Sequence, residues 1–147
     1  MKVARSMPPN DRDPTSPHEW LRRARSNLAR ARADRNLPDV LYEDLCFDAQ
    51  QAAEKAIKAL LVHRQVRFPK THDLLDLLTS LDESGLPIPP EIREADALTH
   101  YAVETRYPGL AEEVTADEHA RAVELAERVL QWVQAQLPLS PPGEKPA

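Results

Sequence analysis

The stretch Leu45-Cys46-Phe47-Asp48-Ala49-Gln50-Gln51-Ala52-Ala53-Glu54-Lys55-Ala56-Ile57-Lys58-Ala59-Leu60-Leu61 decides the fold. Leu45, Ala49, Ala52, Ala53, Ala56, Ile57, Leu60 and Leu61 recur at helical spacing and cover one broad face. That is the pattern of an amphipathic helix turned towards a core. So wide a face predicts the longest and most buried helix of the chain, at the centre of a bundle. Its alanines leave room for a neighbouring helix to approach closely.

Proline marks what lies on either side, because it lacks an N–H, clashes with the preceding turn and is excluded from helix interiors. Of the 14 prolines, Pro8, Pro9, Pro14 and Pro17 crowd one end and Pro138, Pro141, Pro142 and Pro146 the other. Pro38, Pro69, Pro87, Pro89, Pro90 and Pro108 cut the middle into segments of helical, never alternating, periodicity. The first opens at Ser16-Pro17-His18-Glu19, a capping box with proline in the first turn, and continues with Trp20 beside the line Leu21, Ala24, Leu28, Ala31. The third starts at a Thr71 cap, carries Leu74, Leu75, Leu77, Leu78 and Leu81, and ends at Gly85. The fourth follows Pro89-Pro90 as one helix through Ala95, Leu98 and Ala102 to Arg106-Tyr107-Pro108. A second capping box, Thr115 to Glu118, starts the last, which buries Ala122, Leu125, Ala126, Val129, Val133 and Leu137.

Short links favour antiparallel neighbours. The expectation is therefore an all-α, up-and-down antiparallel bundle of four to five helices spanning 17–137, between disordered proline-rich tails at 1–16 and 138–147. One domain suits the length of 147 residues. No apolar run reaches the ~20 residues of a membrane span and the amino terminus lacks a signal-peptide core, so a cytoplasmic, non-membrane protein is expected. The lone Cys46 among apolar neighbours reads as a structural thiol.

A net charge of −5 argues against broad non-specific attraction to nucleic acid. Arg22, Arg23, Arg25, Arg30, Arg32 and Arg35 nevertheless make one segment locally basic, a pattern that most simply forms a solvated helix face. No Gly-rich phosphate loop, zinc motif or nucleophile elbow is present; neither a cofactor nor a metal is expected. Three weaker constellations remain. Arg106-Tyr107 prolongs the inward line of the fourth helix, where a guanidinium needs a carboxylate; Asp48 and Glu54 are the candidates, and the pair is either an internal clasp or a phosphate-binding group in a cleft. Asp96, His100, Glu104 and Tyr107 share one side of the same helix. Arg67 and His72, flanking Pro69, pair a phosphate-binding cation with a proton-transfer group, as metal-free RNA cleavage requires.

Tyr42, the run Cys46 to Leu61, Thr71-His72-Asp73-Leu74, Tyr101 and Arg106-Tyr107-Pro108, with Trp20, Ala24, Leu28 and Ala31 before them, resemble the HEPN domain family of prokaryotes. The resemblance implies a helical bundle that forms a homodimer with a cleft between protomers. It also implies a minimal nucleotidyltransferase as partner, in some systems as a toxin–antitoxin pair whose toxin is a metal-independent ribonuclease and whose antitoxin adds AMP to a tyrosine. The family's ribonuclease motif is an arginine followed after four to six residues by a histidine, near the end of the penultimate helix. Here Arg106 is followed by no histidine before His119; the literal match is Arg67 to His72, and His100 precedes Arg106.

The leading expectation is a dimeric module that binds nucleotide or RNA through Arg106, Tyr107, Gln51, Glu54, Lys55 and Lys58, beside a nucleotidyltransferase. The alternative is an RNA endonuclease toxin using His72 with Arg67, or His100 with Arg106; a further one is a ligand-free interaction scaffold.

Overall fold

The computed structural model describes residues 16–33, 37–103 and 112–138, and the described residues are helical with no strand. Most of the two proline-rich ends lies outside them, as do Arg35, Glu104, Arg106, Tyr107 and Pro108. Among the described residues, six α-helices run in the order α1 (Pro17–Ala31), α2 (Tyr42–His63), α3 (Leu74–Glu83), α4 (Pro90–Arg93), α5 (His100–Val103) and α6 (Ala116–Gln136), with a 3-10 helix at Glu94–Leu98 between α4 and α5. The architecture is an all-α bundle.

Helix α2 is its axis. At 22 residues it is the longest helix, and Ala49, Ala52, Ala53, Ala56, Ile57, Ala59 and Leu61 are fully buried. It packs on α1 along one side and α6 along another, with α3 and α5 at lesser contacts. Five alanines with no accessible surface make this close three-helix packing possible, because a methyl group is all that separates the backbones. The α1–α2 pair is antiparallel: Arg30 meets Asp48 while Lys58 meets Trp20 at the other end. Leu74, Leu77, Leu78 and Leu81 of α3 and Leu125, Val129 and Val133 of α6 close the core. Cys46 is buried.

The helix ends follow local chemistry. Pro17 and Pro90 occupy first turns, where the missing N–H costs nothing. Ser16 accepts from the His18 N–H at 3.1 Å, while Glu19 gives its carboxylate to Arg22 and Arg23 instead of closing a capping box. Thr115 and Glu118 do form a reciprocal box. Thr115→Ala should therefore cost about 1 kcal/mol, read as a lower urea midpoint with an unchanged slope. Gly85, at φ 104°, ends α3; its N–H bonds to Asp82 and that of Leu86 reaches back to Leu81, a Schellman closure that needs a left-handed residue.

Two further expectations need correction. The cap of α3 is Asp73, whose carboxylate accepts from the Leu75 N–H at 2.9 Å, whereas Thr71 accepts from the Asp73 N–H one step earlier. The fourth helix is not continuous: the chain passes from α4 through the 3-10 turn to α5, with Thr99 bonded to Asp96 at the join. The tighter 3-10 winding interrupts the α-helical register between Ala95 and His100, and the rest of both expected lines, at Glu104, Arg106 and Tyr107, lies outside the described residues.

Candidate functional site

On α2, Gln50, Glu54 and Lys58 stand four residues apart and so lie one above another, with Gln51 and Lys55 in the adjoining column. Glu54 is the hub. Its side chain is 4 % exposed, yet Oε1 accepts from Gln50 Nε2 at 3.0 Å, from Gln51 Nε2 at 3.4 Å and from His72 Nδ1 at 3.0 Å. Oε2 accepts from Lys58 Nζ at 2.8 Å. Burial pushes this carboxyl up, but the hydrogen bonds from Lys58, Gln50 and His72 outweigh it and hold the group below the ordinary carboxylate range.

The loop before α3 is fastened to this hub twice, since Gln50 Nε2 also donates to the His72 carbonyl at 3.2 Å. A carboxylate can only accept, so His72 Nδ1 carries the proton of this bond. The His72 side chain is 59 % exposed, which leaves Nε2 open to a ligand. Lys58 Nζ lies 5.6 Å from the Trp20 ring centre and 5.9 Å from that of Phe68, a cation beside two partly buried aromatic faces.

A second polar cluster continues along the α1–α2 seam. Arg30 grips Asp48 with two donors, at 2.8 and 3.4 Å, and Asn27 donates to the same carboxylate at 2.9 Å. Lys55 Nζ donates to Asn27 Oδ1 at 2.8 Å. The structure thus brings Gln51, Glu54, Lys55, Lys58 and His72 together. It does not bring in Arg67, which makes no hydrogen bond or ion pair with His72 among the described residues. The His100 ring lies 4.0 Å from that of Tyr101, and His100 lines a groove with Glu118 and Arg121 whose lining includes none of the cluster residues. Arg106 and Tyr107 lie outside the described residues, and both carboxylates proposed for Arg106 are already engaged, Asp48 by Arg30 and Glu54 by Lys58. His119 donates from Nε2 to the Ala31 carbonyl at 2.6 Å and rests against the Tyr42 ring, a brace between α6 and α1.

The model of the HEPN domain matches residues 17–136. The chain belongs to the HEPN domain family. The crystal structure of an archaeal HEPN homologue is similar to it with a TM-score of 0.63 and 26% identity, over 82% of this chain and 97% of that one. No curated protein matches the sequence. In this HEPN domain, the residues missed from sequence are Trp20, Asn27, Arg23, Arg30, Gln50 and Phe68. The i, i+4, i+7 spacing of Arg23, Asn27 and Arg30 was a legible signal, whereas nothing local ties Trp20 or Phe68 to Lys58. The basic segment of α1 is largely paired, Arg22 and Arg23 with Glu19 and Arg32 with Glu127. Tyr101 donates to Glu118 at 2.8 Å, and burial followed by that bond raises its hydroxyl far above the usual phenol range. Among the described residues, no group of His, Cys, Asp or Glu could hold a metal ion. No described helix is long and apolar enough to cross a membrane.

Proposed function

We propose that this HEPN domain is a nucleotide- or RNA-binding module that works as a cytoplasmic homodimer beside a minimal nucleotidyltransferase, in a toxin–antitoxin arrangement. The observation that carries the binding reading is Lys58, held by buried Glu54 between Trp20 and Phe68 with the open His72 ring on the same carboxylate. A cation flanked by aromatic faces fits a phosphate joined to a base: the ammonium meets the charge and the rings meet the base. Gln51 adds an amide at the rim, and Arg106 and Tyr107 are assigned to the same cleft from the sequence. Exposed Leu37, Val40, Leu41 and Phe47 near the start of α2 supply apolar surface for the protomer contact.

Light scattering and thermal unfolding of the purified chain, with and without AMP, ATP or a short RNA, test this. The expected result is the mass of a dimer and a ligand-dependent rise in Tm, since a ligand at one hundred times its Kd adds about 2.7 kcal/mol. A monomer with a Tm indifferent to all three ligands contradicts it.

The second reading, a metal-independent RNA endonuclease, is favoured by one feature: the Glu54-oriented, exposed His72 has the geometry of a general acid or base. Growth arrest on induction of the chain, abolished by His72→Ala, supports that reading. Harmless expression supports the binding module.

A further inference from the structure

A groove of about 340 Å³ runs between the 3-10 turn with α5 on one side and the first turns of α6 on the other. Leu98, Ala122 and Leu125 make its floor apolar, and Tyr101 lines it as well. Each of the three floor residues is at most 2% exposed, so the groove admits a single side chain and not a whole helix. The charges at its rim are unevenly satisfied. Arg121 gives its two terminal nitrogens to Glu94 at 2.9 Å and Glu124 at 3.2 Å. Asp117 forms no hydrogen bond or ion pair among the described residues. Glu118 takes only neutral donors there, the Tyr101 hydroxyl at 2.8 Å and the Thr115 N–H at 3.4 Å. Both acids stand in the first turn of α6, where the helix dipole favours anions but supplies no counter-ion. Asp96 and Glu113, adjoining the lining in sequence, add negative charge beyond it.

A narrow apolar floor beneath carboxylates that no cation neutralises matches one kind of side chain. Lysine and arginine bury an aliphatic stem against apolar surface and keep the charged end at its edge. The Tyr101 ring offers the same cation an electron-rich face. A small amine would fill the floor and leave Asp96 and Glu113 unmet, whereas a polypeptide with further basic residues meets them too. We propose that this groove docks a basic segment of a partner protein, with one Lys or Arg stem laid on Leu98, Ala122 and Leu125 and its charge set at Asp117 and Glu118. The proposal is independent of the nucleotide-binding reading, because a rim of carboxylates repels phosphate.

The test is an NMR titration of the isotope-labelled full chain with a short capped peptide of alternating lysine and alanine, its glutamate–alanine counterpart, and hexylammonium. The lysine peptide should shift the amide signals of Leu98, Tyr101 and Asp117 to saturation and bind more tightly than hexylammonium, while the glutamate peptide moves none of them. Asp117→Lys, which turns attraction into repulsion, should weaken the lysine peptide about tenfold. Ala97→Trp, at an exposed position of the lining, should weaken it by filling the groove. Glu83→Lys is the control. It makes the same change of charge on an exposed residue at the other end of the bundle, where Ser84 meets Arg64, whereas α6 begins beside Tyr42. At physiological salt it should alter affinity by less than about twofold. A Tm within the wild-type range verifies each variant. Groove signals that ignore the lysine peptide, hexylammonium binding as tightly as the peptide, Glu83→Lys weakening it as much as Asp117→Lys, or full affinity in Ala97→Trp would each overturn the proposal and leave the nucleotide-binding reading untouched.

Discussion

Replacing Glu54 by alanine should cost the fold about 3 kcal/mol, a large share of the stability of a small domain. Four donors converge on this buried carboxylate; the fully buried Gln50 amide would lose one of its two acceptors, and Lys58 and His72 would lose their bonds to it. The cost falls at the lower end for a broken buried ion pair because the Lys58 stem is long enough to turn its ammonium to water. The pH dependence has a definite sign. Glu54 titrates below its ordinary value of 4.5 in the folded chain, so its stabilisation is complete above that value and disappears as pH falls through the lower folded value. Denaturant curves should show wild type and Glu54→Ala separated at pH 7 and converging as the pH drops below 4.5. A gap of equal size at neutral and acid pH would show that the carboxylate's charge is not what holds the hub.

Ile57→Ala is the second substitution with a large expected effect, a loss of about 2–5 kcal/mol. Ile57 has no accessible surface, on the helix that packs against both α1 and α6. Its neighbours Ala53 and Ala56 are too small to swing into the space, so the cavity persists. Leu75→Ala supplies the control: that side chain is 41% exposed on α3 and its removal should move stability by no more than about 0.5 kcal/mol. Urea unfolding of the two variants reads both values; equal midpoints would mean that α2 is not the axis of the core.

The bundle was legible because α2 carries a broad apolar face and because proline punctuates the rest. Prolines at positions 17 and 90 stand in first turns, and those at 38, 69, 87 and 89 in links. The broken fourth helix was not legible. Ala95 and Leu98 are three apart, a spacing that serves a 3-10 turn as well as an α-helix, and two buried positions cannot separate the two periods. Thr71 and Asp73 are both good caps two residues apart; the structure uses the second for α3 and the first for the turn before it.

The site divides in the same way. Gln50, Gln51, Glu54, Lys55 and Lys58 share one helix, so their spacing alone places them in adjoining columns. His72 reaches Glu54 across a loop, and Trp20 and Phe68 come to Lys58 from two other segments, through tertiary packing that no local pattern encodes. Arg67 and His72, paired on sequence spacing, share no hydrogen bond among the described residues. The segment around Pro69 is a loop with a bend at Lys70, and Gln50 and Glu54 draw His72 onto α2.

Trp20 is also the natural reporter of the central claim, that nucleic acid is bound where Trp20, Lys58 and His72 meet. In a Trp132→Phe chain, Trp20 is the single tryptophan, and emission is followed while a short single-stranded RNA is titrated in. The account predicts saturable quenching of Trp20 that Lys58→Met weakens. Emission that stays constant throughout the titration would contradict it.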